Sequence, residues 1–199
     1  MKYNSKIHHR RTIRLQGYDY SSSGLYFVTL CTQDHERLFG NISNHKMILN
    51  DAGKMVATIL QQIPDFYPGN DIDKFIVMPD HIHIIIIVGA GPRACPAAVS
   101  VISGVSVVSS TIAFPTPIHP SSQYSGLPLP DIISRIKTMT LKLYSDGVEQ
   151  LGWQPFNGKL WQRNYYEHII RNENELFQIR EYVINNPANW DGAKRLLVP

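Results

Sequence analysis

The chain has little cysteine: Cys31 and Cys95 are its only two. One lies in a strand-like segment and the other in a low-complexity stretch, which argues against a disulfide framework and against a cysteine-built zinc site. A metal held by this chain should therefore take nitrogen and oxygen ligands, which favours Mg2+ or Mn2+ over a structural zinc. Long apolar runs are also missing. The longest covers residues 84–90, far short of the roughly 20 needed to span a bilayer as a helix. The opening Met1-Lys2-Tyr3-Asn4 leads into polar and basic residues rather than a signal peptide. No membrane association and a cytoplasmic location are expected.

What remains is an ordinary globular composition. With 199 residues and 43% hydrophobic content, the chain fits a single domain with a sizeable core. The net charge is only +3, but it is unevenly spread. His8-His9-Arg10-Arg11-Thr12-Ile13-Arg14 forms a basic cluster, and Lys159, Arg163, Arg171, Arg180, Lys194 and Arg195 recur toward the C-terminus. Such clusters are either solvated surface or the footprint of a phosphate backbone. Residues 89–130 are rich in Gly, Pro, Ser, Val and Ala, with Arg93 their only Lys, Arg, Asp or Glu, and read as a low-complexity insertion.

The remaining segments alternate between two periods. Residues 25–32 are β-rich and follow the turn-forming Ser21-Ser22-Ser23-Gly24. Residues 46–49 add a short strand, and Asn50 caps a helix that Pro64 is expected to stop. Residues 72–78 and 82–88 form two more strands, joined through Pro79-Asp80 in a tight antiparallel hairpin. Asp131 opens an amphipathic helix through Ile132, Ile133, Ile136, Met139 and Leu143. Residues 160–170 read as a strand. Asn172 then caps a last helix, with Glu175 three residues on, and Pro187 ends it. The order predicts an α+β fold: a ferredoxin-like split β-α-β antiparallel sheet with helices on one face and an additional C-terminal helix.

Two features carry chemistry. In Val77-Met78-Pro79-Asp80-His81-Ile82-His83, alternation along a strand puts His81 and His83 on one face, about 6–7 Å apart along the backbone. Two imidazoles aimed at one point suit a divalent metal. The pattern alone also fits two half-exposed histidines at a strand end, or a structural zinc site. On the last helix, Leu176, Ile179 and Val183 share the core face, while Gln178, Tyr182 and Asn186 form an adjacent strip with Glu175 near its line. That strip reads either as a partly exposed polar flank or as a phenol flanked by metal-capable oxygens. Beside a divalent ion, the Tyr182 phenolate is a competent nucleophile.

His81-Ile82-His83 resembles the His-hydrophobic-His motif of the HUH nucleases. Trp161-Gln162-Arg163-Asn164-Tyr165-Tyr166-Glu167-His168-Ile169-Ile170-Arg171-Asn172-Glu173, with Tyr182-Val183-Ile184-Asn185-Asn186-Pro187, is similar to the C-terminal signature of single-tyrosine (IS200-like) transposases, REP-associated tyrosine transposases in particular. The opening His9-Arg10-Arg11 and Leu25-Tyr26-Phe27-Val28-Thr29 are similar too. The resemblance covers most of the chain outside the insertion and implies one HUH domain over residues 1–199. It implies that His81 and His83 bind a catalytic Mg2+ or Mn2+, that Asn186 completes the metal site where many relatives carry Gln, and that Tyr182 attacks the scissile phosphate. Tyr165 and Tyr166 are rival nucleophiles by residue type, placed on a strand where they stack or pack. Gln178 and His168 are candidate supporting residues. Arg10, Arg11, Arg14, Arg163 and Arg171 are candidate phosphate contacts.

The implied activity is DNA transesterification. Single-stranded DNA beside a hairpin is cut and rejoined through a covalent 5′-phosphotyrosine, in a cytoplasmic, nucleoid-associated bacterial protein. Two other readings stand beside it: a non-catalytic, domesticated hairpin-DNA binder, and a metal-dependent hydrolase in which water attacks. A homodimer is left open, in which Tyr182 would meet the histidines of a partner.

Overall fold

The computed structural model describes residues 23–89 and 126–190. Strand β1 (Gly24–Cys31) is followed by a ribbon of β2 (Gly40–Ser43) and β3 (Lys46–Leu49), then by helix α1 (Asp51–Phe66). Strands β4 (Asn70–Val77) and β5 (His81–Val88) precede helix α2 (Leu129–Leu151), strand β6 (Tyr166–Ile170) and helix α3 (Glu173–Asn185). Four strands form one sheet in the order β4-β5-β1-β6, with β5 antiparallel to both β4 and β1 and β1 antiparallel to β6. Counting only these four in chain order, the order is second-third-first-fourth, which is the expected split β-α-β arrangement.

The alternation of β1 and β5 divides the core in two. Tyr26, Val28, Leu30, Ile82, Ile84, Ile86 and Val88 are buried against α1 and α2, through residues such as Val56, Ile59, Ile132 and Ile136. Phe27, Ile76, Ile85 and Ile170 lie on the opposite face, where Ile179 and Val183 of α3 cover them. The sheet is thus sandwiched, with the two longer helices on one side and the C-terminal helix on the other. Both faces of the central strands are dry, which explains why Ile84-Ile85-Ile86-Ile87 is a continuous apolar run rather than an alternating one.

Several boundaries differ from the sequence expectation, each for a local reason. Helix α1 runs past Pro64 to Phe66. So near its C-terminus a proline removes only one backbone donor, and the Tyr67 N–H still reaches the Ile63 carbonyl at 2.9 Å. Helix α2 begins at Leu129, with Pro130 in the first turn where its missing N–H costs nothing. Just before it, the Asn70 side chain bonds both the N–H (2.7 Å) and the carbonyl (3.0 Å) of Leu127. The expected insertion therefore ends a few residues early, and residues 90–125 of it lie outside the described residues.

The expected strand over residues 160–170 shortens to Tyr166–Ile170. Trp161 bridges Thr32 and donates its indole N–H to Thr140 at 2.8 Å. The Gln162 and Arg163 carbonyls accept instead from the Lys137 amine, at 2.8 and 3.1 Å. Tyr165 consequently falls outside the strand. Strand β2 was not anticipated. It pairs with β3 through Asn44-His45, whose φ values of 50° and 59° are those of a tight hairpin turn.

Gly53 gives a test of this packing. An alanine in a helix normally gains about 1 kcal/mol over glycine. Here a Cβ would sit 2.2 Å from the Phe39 carbonyl oxygen and 2.9 Å from Leu49 Cδ2. Gly53→Ala should therefore destabilise by about 1–3 kcal/mol, lowering the thermal midpoint by several degrees. A midpoint that rises would show that α1 is not seated against the Phe39 backbone.

Candidate active site on the α3 face of the sheet

The two-residue turn Pro79-Asp80 delivers His81 to the first position of β5, with the Met78 N–H bonded to the His81 carbonyl at 2.8 Å. The β1–β5 register sets Cys31 opposite His81 and Thr29 opposite His83. Both imidazoles point to the α3 side, and neither is half-exposed: His81 is 1% and His83 0% accessible.

Each ring is held through its Nδ1. That of His81 lies 2.6 Å from Asp80 Oδ1, and that of His83 lies 2.8 Å from Thr29 Oγ1. A carboxylate oxygen accepts, so the His81 Nδ1–H donates to Asp80 and the Nε2 edge of the ring is turned away from it. The hydroxyl of Thr29 can donate or accept, so His83 can present either an N–H or a lone pair at Nε2. The two Nε2 atoms face each other at 3.1 Å. Two nitrogens bound to one ion at about 2.0–2.1 Å lie roughly 2.8–3.4 Å apart in octahedral or tetrahedral geometry, so this pair fits a shared cation.

Helix α3 brings the phenol. The Tyr182 hydroxyl lies 3.5 Å from His83 Nε2, and the two rings meet edge-on at 5.2 Å. Phe27 forms the floor, stacked on His83 at 5.3 Å and edge-on to Tyr182 at 6.0 Å. Trp190 covers His81 at 5.5 Å. Asn186, buried at the end of α3, hydrogen-bonds Tyr182 through its side chain.

Burial pushes the Tyr182 phenol above its ordinary range and Tyr166 adds to this, while the Asn186 hydrogen bond works the other way. Burial, then His81, hold His83 well below the usual imidazole range, so it stays neutral. Neutral imidazole is the ligating form. Among the described residues no group of three or more His, Cys, Asp or Glu side chains could hold a metal ion. The amide of Asn186 and the phenol of Tyr182 stand beside the pair as further candidate donors.

Of the expected site residues, His81, His83, Tyr182 and Asn186 come together within one chain. Gln178 is exposed on α3, one turn before Tyr182. His168 lies on β6 opposite Phe27, but its Nε2 is 2.5 Å from Glu175 Oε1 at the start of α3. The Arg171 N–H also bonds Glu175, at 2.7 Å. That bond first, and His168 second, hold the Glu175 carboxyl below its ordinary range. Arg163 and Arg171 are exposed. Arg10, Arg11 and Arg14 lie outside the described residues. Of the rival tyrosines, Tyr166 packs with the α3-side cluster, 6.4 Å from Phe27. Tyr165 packs on the other side, under the Lys137 amine at 5.5 Å from its ring.

Thr29, Phe27, Asp80 and Trp190 were not singled out from sequence. Asp80 stood beside the motif. Thr29 and Phe27 share a strand face by alternation, but only the pairing of β1 with β5 aims that face at the histidines.

An α+β domain with an antiparallel four-stranded sheet therefore places a histidine pair and a helix-borne tyrosine at one point. The chain is 40% identical over 194 residues to an uncharacterised protein of Haemophilus influenzae, covering 96% of this chain and 94% of that one, and it belongs to the same family. No protein-family model matches it. Among solved structures it is similar to a REP-associated tyrosine transposase bound to a REP hairpin, with a TM-score of 0.46 and 16% identity over 92% of this chain and 73% of that one. It is also similar to a candidate transposase from Deinococcus radiodurans, with a TM-score of 0.42 and 17% identity over 87% of this chain and 97% of that one. No described helix is long and apolar enough to cross a membrane.

The neutral burial of His83 has a pH signature. Its folded pKa lies below the unfolded value of about 6.5, so below that pH the unfolded chain binds the extra proton. The stabilising contribution is present above about pH 6.5 and is lost as pH falls, at up to about 1.4 kcal/mol per pH unit. Urea unfolding in chelator-containing buffer should show this acid slope in wild type. His83→Gln should remove about one proton's worth of it, whatever its effect at neutral pH. Equal slopes in the two proteins would contradict a neutral buried His83.

Proposed function

We propose that this protein is a metal-dependent tyrosine transposase that cuts and rejoins single-stranded DNA flanked by a hairpin. The observation that carries this reading is the Tyr182 hydroxyl 3.5 Å from His83 Nε2, itself 3.1 Å from His81 Nε2. A histidine pair alone suits many metal proteins, and a half-buried tyrosine alone suits the edge of any core. Together, on the elements where the HUH motifs fall, they support nucleophilic attack by Tyr182 on a phosphate held beside the histidines.

In this reading His81 and His83 hold Mg2+ or Mn2+, with Asn186 as a further oxygen donor or as a hydrogen-bonding partner of the phenol. The ion, when bound, supplies positive charge that polarises a nonbridging phosphate oxygen and favours the phenolate. Asp80 and Thr29 fix the ring orientations through Nδ1, and with the Thr29 hydroxyl accepting from His83 both Nε2 atoms are free to ligate. Phe27 and Trp190 wall the histidines off from bulk water. Tyr182, placed by α3, attacks phosphorus as its proton leaves. A phosphorus–O(Tyr182) bond forms, the bond to the 3′ oxygen breaks, and that oxygen takes up a proton to become a hydroxyl. The 5′-phosphotyrosine keeps the ester for rejoining to another 3′-hydroxyl. Exposed Arg163 and Arg171 would serve as phosphate contacts.

The protein is incubated with labelled single-stranded hairpin DNA and Mn2+ and run on a denaturing gel. A covalent protein–DNA adduct is expected with wild type and is lost in Tyr182→Phe. His81→Ala and His83→Ala should abolish cleavage while leaving hairpin binding within about threefold, since phosphate contacts dominate affinity. Hairpin binding without cleavage would identify a non-catalytic binder. Cleavage without an adduct would identify a hydrolase, and an adduct surviving Tyr182→Phe would move the nucleophile elsewhere.

A further inference from the structure

Helix α3 lies on the sheet through a small apolar patch, Ile179 and Val183 against Phe27, Ile76 and Ile85. Apolar burial is non-directional, so this patch by itself leaves the helix free to slide or roll. A tyrosine in the third turn would feel such a shift directly. The helix is tied in a directional way at both edges of the sheet. On the β6 side, Glu175 takes His168 and the Arg171 N–H. That tie belongs to the first turn of the helix and acts partly as its cap.

The tie on the β4 side is of another kind. Strand β4 carries a bulge: Ile72 pairs with Ile86 and Lys74 with Ile85, so Asp73 is the extra residue between consecutive partners. A bulge re-aims the side chain it carries. The Asp73 carboxylate meets Arg180 in a two-pronged pair, Nε to Oδ2 at 2.7 Å and Nη2 to Oδ1, across 107 positions of sequence. Its side chain is 13% exposed and that of Arg180 39%. A fork-to-fork guanidinium–carboxylate pair fixes orientation as well as distance. Arg180 follows Ile179 and stands two residues before Tyr182. Fixing its guanidinium fixes both the rotation of α3 and its position along the sheet.

We propose that Asp73 and Arg180 are positioning residues for Tyr182, and that the β4 bulge exists to aim Asp73 at the nucleophile helix. The proposal rests on the reading of Tyr182 as the nucleophile. Neither residue touches the reacting atoms. Both act through the placement of α3, which keeps the phenol against the histidines of its own chain.

The test separates rate from binding and from stability. Single-turnover adduct formation, hairpin affinity and amide hydrogen exchange are measured on the full chain. Asp73→Asn and Arg180→Lys, which keep shape or charge but break the fork, should each slow adduct formation by about 100-fold while leaving hairpin Kd within about twofold. Exchange should accelerate across α3 and stay unchanged in α1 and α2. The swapped pair Asp73→Arg with Arg180→Asp should recover at least about tenfold of the lost rate. An unchanged rate, a rate and affinity falling together, uniform acceleration of exchange, or a swap no faster than the single variants would each overturn the proposal. If wild type forms no adduct, the nucleophile reading fails, and exchange in α3 still decides whether the Asp73–Arg180 pair holds the helix.

Discussion

The register of β1 against β5 is the constraint on which the rest of this molecule depends. It sets Thr29 opposite His83 and Cys31 opposite His81, and it sends Leu30 and Ile82 into the other core. A slip of one residue would exchange the two faces of the strand. It would bury both histidines under α1 and α2 and turn Ile82 toward α3. The register is pinned where the chemistry lies. Pro79-Asp80 leaves no slack between β4 and β5, and the Asp80 carbonyl accepts from both the N–H (2.8 Å) and the hydroxyl (2.9 Å) of Thr32. Asp80 therefore does two jobs at once. Its backbone fixes the end of β1 against the turn, and its carboxylate orients His81.

From this register follows a division of labour between the two faces. The α1 and α2 side is large and almost wholly apolar, and it supplies the stability of the domain. The α3 side is a smaller cluster interrupted by His81, His83, Thr29 and Tyr182, whose polar atoms are paired mostly with one another. Burying such groups is tolerable only because each finds a partner. The apolar side chains around them, Phe27, Ile76, Ile85 and Val183 included, hold α3 down, and the polar groups are ordered within that frame.

The sequence makes the layout legible to the extent that local rules govern it. Alternation fixed the common face of His81 and His83, and the four-residue spacing fixed that of Gln178, Tyr182 and Asn186. The caps at Asn50 and Asn172 were visible as residue types, and both side chains accept from the N–H three residues on. The strand–helix order was enough for the sheet topology. Other features depended on partners distant in the chain. Trp161 left the predicted strand because Thr140 and Lys137 on α2 compete for its neighbourhood. Thr29 and Phe27 are anonymous strand residues until β5 and α3 arrive. Asp73 shows the same limit, since neither the bulge nor Arg180 leaves a mark in the local pattern of β4.

The electrostatics of the site bear on why the proposed chemistry would need an ion as well as a phenol. Burial makes Tyr182 harder to ionise, and Tyr166 adds to that effect. An incoming DNA phosphate would raise the phenol pKa again. At an effective dielectric near 20, a unit charge about 4 Å away is worth about 4 kcal/mol. The Asn186 hydrogen bond is too small to offset both, because hydrogen bonds to charged groups contribute about 1.5–3 kcal/mol. A divalent charge held between His81 and His83 outweighs a monoanionic phosphodiester at similar distance. Its pull on the phenol would therefore persist when the DNA phosphate is bound beside it. Burial would then serve the chemistry: the same partial burial that keeps Tyr182 protonated at rest strengthens its response to the ion.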